Sequence, residues 1–141
     1  MTMSTTRQPA IALVDDDFHS ARLMTRTLEA CGAPSISRMP NAEHALDVLA
    51  GLTAQAEILA VVDLKSSSTA TRDFIERLKI RAPSVLVVAI ATSLDRETRG
   101  KLIEAGAAAV FERHSDIELY RREAASIVNF WARQRLDRTG T

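Results

Sequence analysis

A chain of 141 residues, 46% hydrophobic and 26% charged, is about one domain with enough apolar mass for a real core. Eighteen basic side chains balance eighteen acidic ones, so no overall field selects for nucleic acid or anionic lipid. No apolar run nears the roughly 20 residues of a membrane span, M-T-M-S-T-T-R-Q-P has no signal-peptide core, and lone Cys31 has no disulfide partner; the expectation is a cytoplasmic protein.

Ala10–Phe18, A-I-A-L-V-D-D-D-F, is an apolar run without alternation that stops in three carboxylates. Such a run predicts a strand buried on both faces, as in parallel sheets. Asp17 suits the cap of the next helix, whose inward stripe is Ala21, Met24, Leu28 and Cys31, with Gly32 as its stop. Asp15 and Asp16 are left over from that local explanation. Ser35–Met39 alternates and predicts an edge strand. Pro40-Asn41 opens a second helix on Ala45, Leu46, Leu49 and Leu52, and Thr53–Ala56 reads as a loop.

Glu57–Val62 is a second unalternated run, and it too stops in an acid, Asp63. The polar stretch L-K-S-S-S-T-A-T leads to a third helix on Phe74, Ile75 and Leu78, closed by Pro83. Val85–Ile90 predicts a strand ending at Ala91-Thr92-Ser93. A fourth helix covers about Asp95 to Ala105 with Leu102 and Ile103 inward; Gly100 softens it, and Gly106 caps it. Ala107–Phe111 predicts the fifth strand, before Glu112-Arg113-His114. Ser115-Asp-Ile-Glu118 reads as a capping box for a last helix on Ile117, Tyr120, Ala124, Ile127, Val128 and Trp131.

Strands alternating with helices predict an α/β fold: a doubly wound five-stranded parallel sheet, flavodoxin-like, order 2-1-3-4-5, helices on both faces. The expected division is a flexible tail over 1–9, one domain over 10–136 and a short tail over 137–141. Ligands of such sheets lie beyond the carboxyl ends of the strands. That order makes the first and third strands neighbours, so Asp15, Asp16 and Asp63 converge on one pocket. An oxygen-only cluster suits Mg²⁺, whose charge offsets the repulsion among the acids.

These residues carry a resemblance. V-D-D-D after the first strand, V-V-D-L at the third and E-A-G-A before the fifth are similar to the receiver domain of bacterial response regulators, over about Ala10 to Arg133. The resemblance implies that Asp63 accepts a phosphoryl group from a sensor histidine kinase or phosphotransfer protein. It implies that Asp16 ligates Mg²⁺ directly, Asp15 acts largely through water, and the Lys65 backbone carbonyl is a further ligand. A metal would neutralise the transferring group while an ionised carboxylate attacks.

Three positions depart from the family pattern. The hydroxyl residue that ends the fourth strand is Ala91, the lysine after the fifth strand is Arg113, and the switching aromatic is Val110. Thr92 substitutes for the hydroxyl if the strand end is shifted or bulged by one residue. Arg113 keeps the positive charge, either to hold Asp63 or to grip a phosphoryl group. The loop after Asp63 has K-S-S-S where the family usually has Pro and Gly.

Among the remaining candidates, His19, His44 and His114 share no spacing that suggests a site, and only His114 adjoins the pocket. Leu119 and Phe130 sit off the inward stripe of the last helix, either covering the core edge or forming a partner or homodimer surface with the fourth helix. The arginines Arg121, Arg122, Arg133 and Arg135 read as a solvated face. D-D-D-F-H partly resembles the nucleophile motif of haloacid-dehalogenase-type phosphatases, but His19 stands in place of the threonine and no cap insertion follows. The expectation is therefore no enzyme but a single-domain response regulator, phosphorylated on Asp63 with Mg²⁺ and signalling through a downstream protein. The rival is a phosphorylation-independent pseudo-receiver for interaction or dimerisation.

Overall fold

Unalternated apolar runs have no polar face to offer solvent, so they must be covered on both sides. In the computed structural model, which describes residues 10–52 and 57–139, three of them form the interior of a sheet: β1 (Ile11–Asp15), β3 (Leu59–Asp63) and β4 (Leu86–Ala91). The alternating Ile36–Met39 (β2) and short Ala109–Glu112 (β5) take the edges, in order β2-β1-β3-β4-β5. All four pairings are parallel. The expected fold and strand order are the observed ones.

Period-two alternation sorts each interior strand between two cores. Ala12, Val14, Ala60 and Val62 face α2 (Ala42–Gly51), α3 (Ala70–Arg81) and α4 (Arg96–Ala105), packing with Leu46, Ile75 and Leu78. Ile11, Leu13, Leu59 and Val61 face α1 (Phe18–Ala30) and α5 (Ile117–Thr139), packing with Leu28, Ala124 and Ile127. No helix of the described residues is long and apolar enough to cross a membrane.

Helix starts follow local hydrogen bonding. The Asp17 carboxylate accepts from Ser20 N at 2.7 Å, and the Asn41 side chain from His44 N at 2.8 Å. At α5 the expected capping serine gives way to its neighbour: Asp116 accepts from the N–H groups of Glu118 and Leu119 at 2.9 and 3.0 Å. Ile103 and Ile117, expected inward, are 42% and 47% exposed. The fourth helix seats on Leu102 and Ala105, and the fifth docks only from Tyr120 onward. Phe130 packs edge-on against Phe111, centroids 6.5 Å apart, and so covers the core edge. The expected loop at Thr53–Ala56 and the tail over 1–9 lie outside the described residues.

Two glycines of one segment predict opposite effects. Gly106 caps α4 at φ +128°, and a Cβ there would run into Lys79 Cγ. Lys79 is held in place, donating to the carbonyls of Pro83 and Val85 at 3.0 and 2.9 Å. Gly106→Ala is expected to cost about 2 kcal/mol in urea denaturation. Gly100 has helical backbone and open space around it, so Gly100→Ala is expected to stabilise by up to about 1 kcal/mol.

Candidate functional site

The parallel register of β1 and β3 sets Asp15 directly beside Asp63. Both are shielded by the loops that follow, at 0% and 2% exposure. Two buried carboxylates side by side need positive partners, or one of them must take up a proton.

The partners come from the chain itself. Lys65, two residues past Asp63, folds its stem back so that Nζ lies 2.7 Å from Asp15 Oδ1 and 3.2 Å from Asp63 Oδ2. The same ammonium donates to the Asp63 carbonyl at 3.0 Å. Arg113, just past β5, donates from Nη2 to Asp63 Oδ1 and from Nε to Oδ2 at 3.4 Å. Both cations are only 27% exposed. The buried centre thus holds two acids and two bases and is close to neutral.

Every remaining oxygen of the acids that sequence marked out is also used. Asp15 Oδ1 accepts from Asp17 N and Oδ2 from Ser20 Oγ, both at 2.9 Å. The Asp15 carbonyl accepts from Arg38 Nε and Nη2 at 3.2 and 3.1 Å, tying β2 to the site. Asp16 turns outward and anchors the β3–α3 loop, accepting from Lys65 N at 3.0 and 3.2 Å and from Ser66 N at 3.1 Å.

Sequence reasoning placed Asp15, Asp16 and Asp63 together; the structure sets Asp15 beside Asp63, while Asp16 turns outward to hold the β3–α3 loop. It gave Arg113 a choice of roles, and the structure pairs it with Asp63. It assigned Lys65 only through its backbone carbonyl, whereas the N–H and the ammonium are what Lys65 brings here. The missed signal was the spacing: in extended chain, residues i and i+2 share a side, and four methylenes reach back one residue pair. Ser20 and Arg38 carried no such signal.

The switch positions keep their sequence identities. The ladder from β4 to β5 is regular, with Ala91 opposite Glu112 and no bulge. Ala91 therefore ends the strand, and Thr92 sits exposed beyond it. Val110 is buried in the core facing α2–α4. Beside the acids opens a cavity of about 580 Å³ between the β3–α3 and β4–α4 loops, lined by Lys65, Arg72, Ala91, Thr92, Lys101 and Arg113 among others. His114 does not line it.

The acids form a donor set of the class Mg²⁺ takes. Its oxygens are of the right kind, but the ammonium of Lys65 already bonds two carboxylates and a carbonyl, and Asp16 is spent on loop N–H groups. Among the described residues no group of three or more His, Cys, Asp or Glu side chains is disposed to hold a metal. The arrangement does not fit the ion while Lys65 stays where it is.

Tyr120 reports on this charge from α5. Burial, reinforced by the charges of Asp63 and Asp15 and opposed by Arg113, pushes its hydroxyl up to about 12. The folded state therefore favours the neutral phenol, a contribution complete below about pH 10 and lost as pH rises through about 12. Tyr120 is the sole tyrosine, so ultraviolet absorbance follows it alone. Asp63→Asn is expected to lower that midpoint modestly, because burial is the larger cause.

No protein-family model and no curated protein matches the sequence, so likeness is found only among solved structures. A response regulator receiver domain from Rhodospirillum rubrum superposes with TM-score 0.73 at 19% identity, over 86% of this chain and 92% of that one. A Burkholderia pseudomallei protein described as pilus assembly-related gives 0.71 at 18%, over 93% and 96%. The response regulator Rcp1 in its Mn²⁺-bound form gives 0.69 at 17%, over 86% and 92%. The fold is that of the receiver domain.

Proposed function

We propose that this chain is a non-enzymatic receiver-fold module that signals through protein–protein contact and does not depend on phosphorylation of Asp63. The observation that carries this reading is the occupancy of the acceptor: Arg113 donates to both carboxylate oxygens, and the Lys65 ammonium pairs with Oδ2 at 3.2 Å. A nucleophilic carboxylate needs a free ionised oxygen facing the donor. Ala91 and Val110 support the same reading, since neither supplies a hydroxyl grip nor an aromatic rotamer switch. Receiver folds also occur in proteins described by assembly instead of response regulation, as with the Burkholderia relative. The balanced net charge argues against nucleic acid as partner, and the lone Cys31 supports a cytoplasmic setting.

The second reading is a response regulator phosphorylated on Asp63 by a histidine kinase or phosphotransfer protein. It is favoured by the cavity that opens beside the acid, whose lining includes Lys65, Arg72, Lys101 and Arg113. Lys65 and Arg113 would turn from the carboxylate to the phosphoryl oxygens, with Thr92 nearby. Intact mass spectrometry after incubation with Mg²⁺ and acetyl phosphate separates the two. No adduct is expected on the wild type. A single phosphoryl adduct, missing from Asp63→Asn, would overturn the first reading in favour of the second.

A further inference from the structure

We infer that Lys65 is a tethered cation occupying a latent divalent-metal site, and that it excludes the metal from the wild-type protein. The inference rests on the acceptor geometry used above but concerns metal binding, which can be measured without any phosphoryl transfer.

The ammonium makes three contacts, to Asp15 Oδ1, Asp63 Oδ2 and the Asp63 carbonyl, at 2.7, 3.2 and 3.0 Å. Two of these are hydrogen bonds and the third is an ion pair, so the ammonium is held from three sides. The acceptors are two carboxylates and a backbone carbonyl from adjacent strands, which is also the oxygen set a hard divalent cation takes. One group therefore holds the oxygens that the other would need.

The tether is fixed at both ends of the residue. The Lys65 N–H is clamped by both Asp16 oxygens, so the acid that could complete a metal shell instead holds the loop that delivers the ammonium. The chain's own charge arithmetic closes the site: Lys65 and Arg113 balance Asp15 and Asp63, and a divalent ion added on top would leave it two charges in excess. A metal binds only when Lys65 has swung out. Its apparent dissociation constant is the intrinsic one divided by the fraction of molecules in that state. If Lys65 is seated in all but about 1% of molecules, that weakens binding about 100-fold. Cavity lining beside the site gives the displaced side chain somewhere to go.

The test is Mn²⁺ binding by electron paramagnetic resonance and calorimetry on wild type, Lys65→Ala and Lys65→Met. Wild type is expected to show no saturable binding at millimolar Mn²⁺. Each variant is expected to bind one ion about 100-fold more tightly or better, with loss of that binding when Asp15→Asn is added. Saturable wild-type binding as tight as the variants' overturns the inference, and so does a folded variant that binds nothing. Should a variant not fold in EDTA, refolding with Mn²⁺ decides: recovery of native circular dichroism supports the latent site, and none overturns it. Mn²⁺ binding by wild type without a phosphoryl adduct would sink this inference alone. An adduct on a wild type that binds no Mn²⁺ would sink only the preceding reading.

Discussion

Arg113→Met is expected to lower the unfolding free energy by about 2–3 kcal/mol in urea denaturation, a large loss for a residue at a strand end. The Asp63 side chain is 3% exposed, so its charge has almost no water to fall back on. Stripping one partner from a fully buried pair costs roughly 3–5 kcal/mol. Two features soften that figure here: Arg113 is itself 27% exposed, and Lys65 still faces the other oxygen. A solvated surface arginine, by contrast, would change stability by no more than about 0.5 kcal/mol. The double variant Asp63→Asn/Arg113→Met is expected to be more stable than Arg113→Met alone, because the stranded charge is gone. Strictly additive effects would mean that the two side chains do not share an interaction in solution.

That pairing marks how far sequence could carry the site. Strand order was legible because β1, β3 and β4 are unalternated runs, and short crossovers between such runs leave few topologies. Once the order was set, the convergence of Asp15 and Asp63 followed from their places at strand ends. What followed less easily was which groups answer those charges. A lysine at the head of K-S-S-S is ordinarily a solvated loop residue, and its i, i+2 spacing from Asp63 allows its stem to fold back without requiring it. Only the three-dimensional fact that two buried acids sit within reach makes it do so. The same limit explains Ile103 and Ile117: periodicity finds a stripe, but the neighbouring elements decide which end of the stripe they cover. Ser115 and Asp116 are both good caps one residue apart, and it is Asp116 that accepts from Glu118 N and Leu119 N.

The sign of a second substitution decides whether this centre is an acid cluster awaiting a cation or a neutral knot already closed. In an unneutralised cluster, deleting one carboxylate charge relieves repulsion and stabilises the metal-free protein. Asp15 is placed otherwise: it holds Lys65 Nζ, Asp17 N and Ser20 Oγ within 2.9 Å at zero exposure. Asp15→Asn keeps one acceptor oxygen but turns N–H groups toward a donor and leaves Lys65 short of a counter-charge. It is expected to destabilise the protein by about 3 kcal/mol, measured in EDTA so that trace metal plays no part. Lys65→Met added to Asp15→Asn is expected to recover part of that loss, since the uncompensated ammonium goes with it. A rise in stability for Asp15→Asn in EDTA would mean that repulsion dominates, that Lys65 is not seated between the acids, and that the cation these carboxylates need must come from outside the chain.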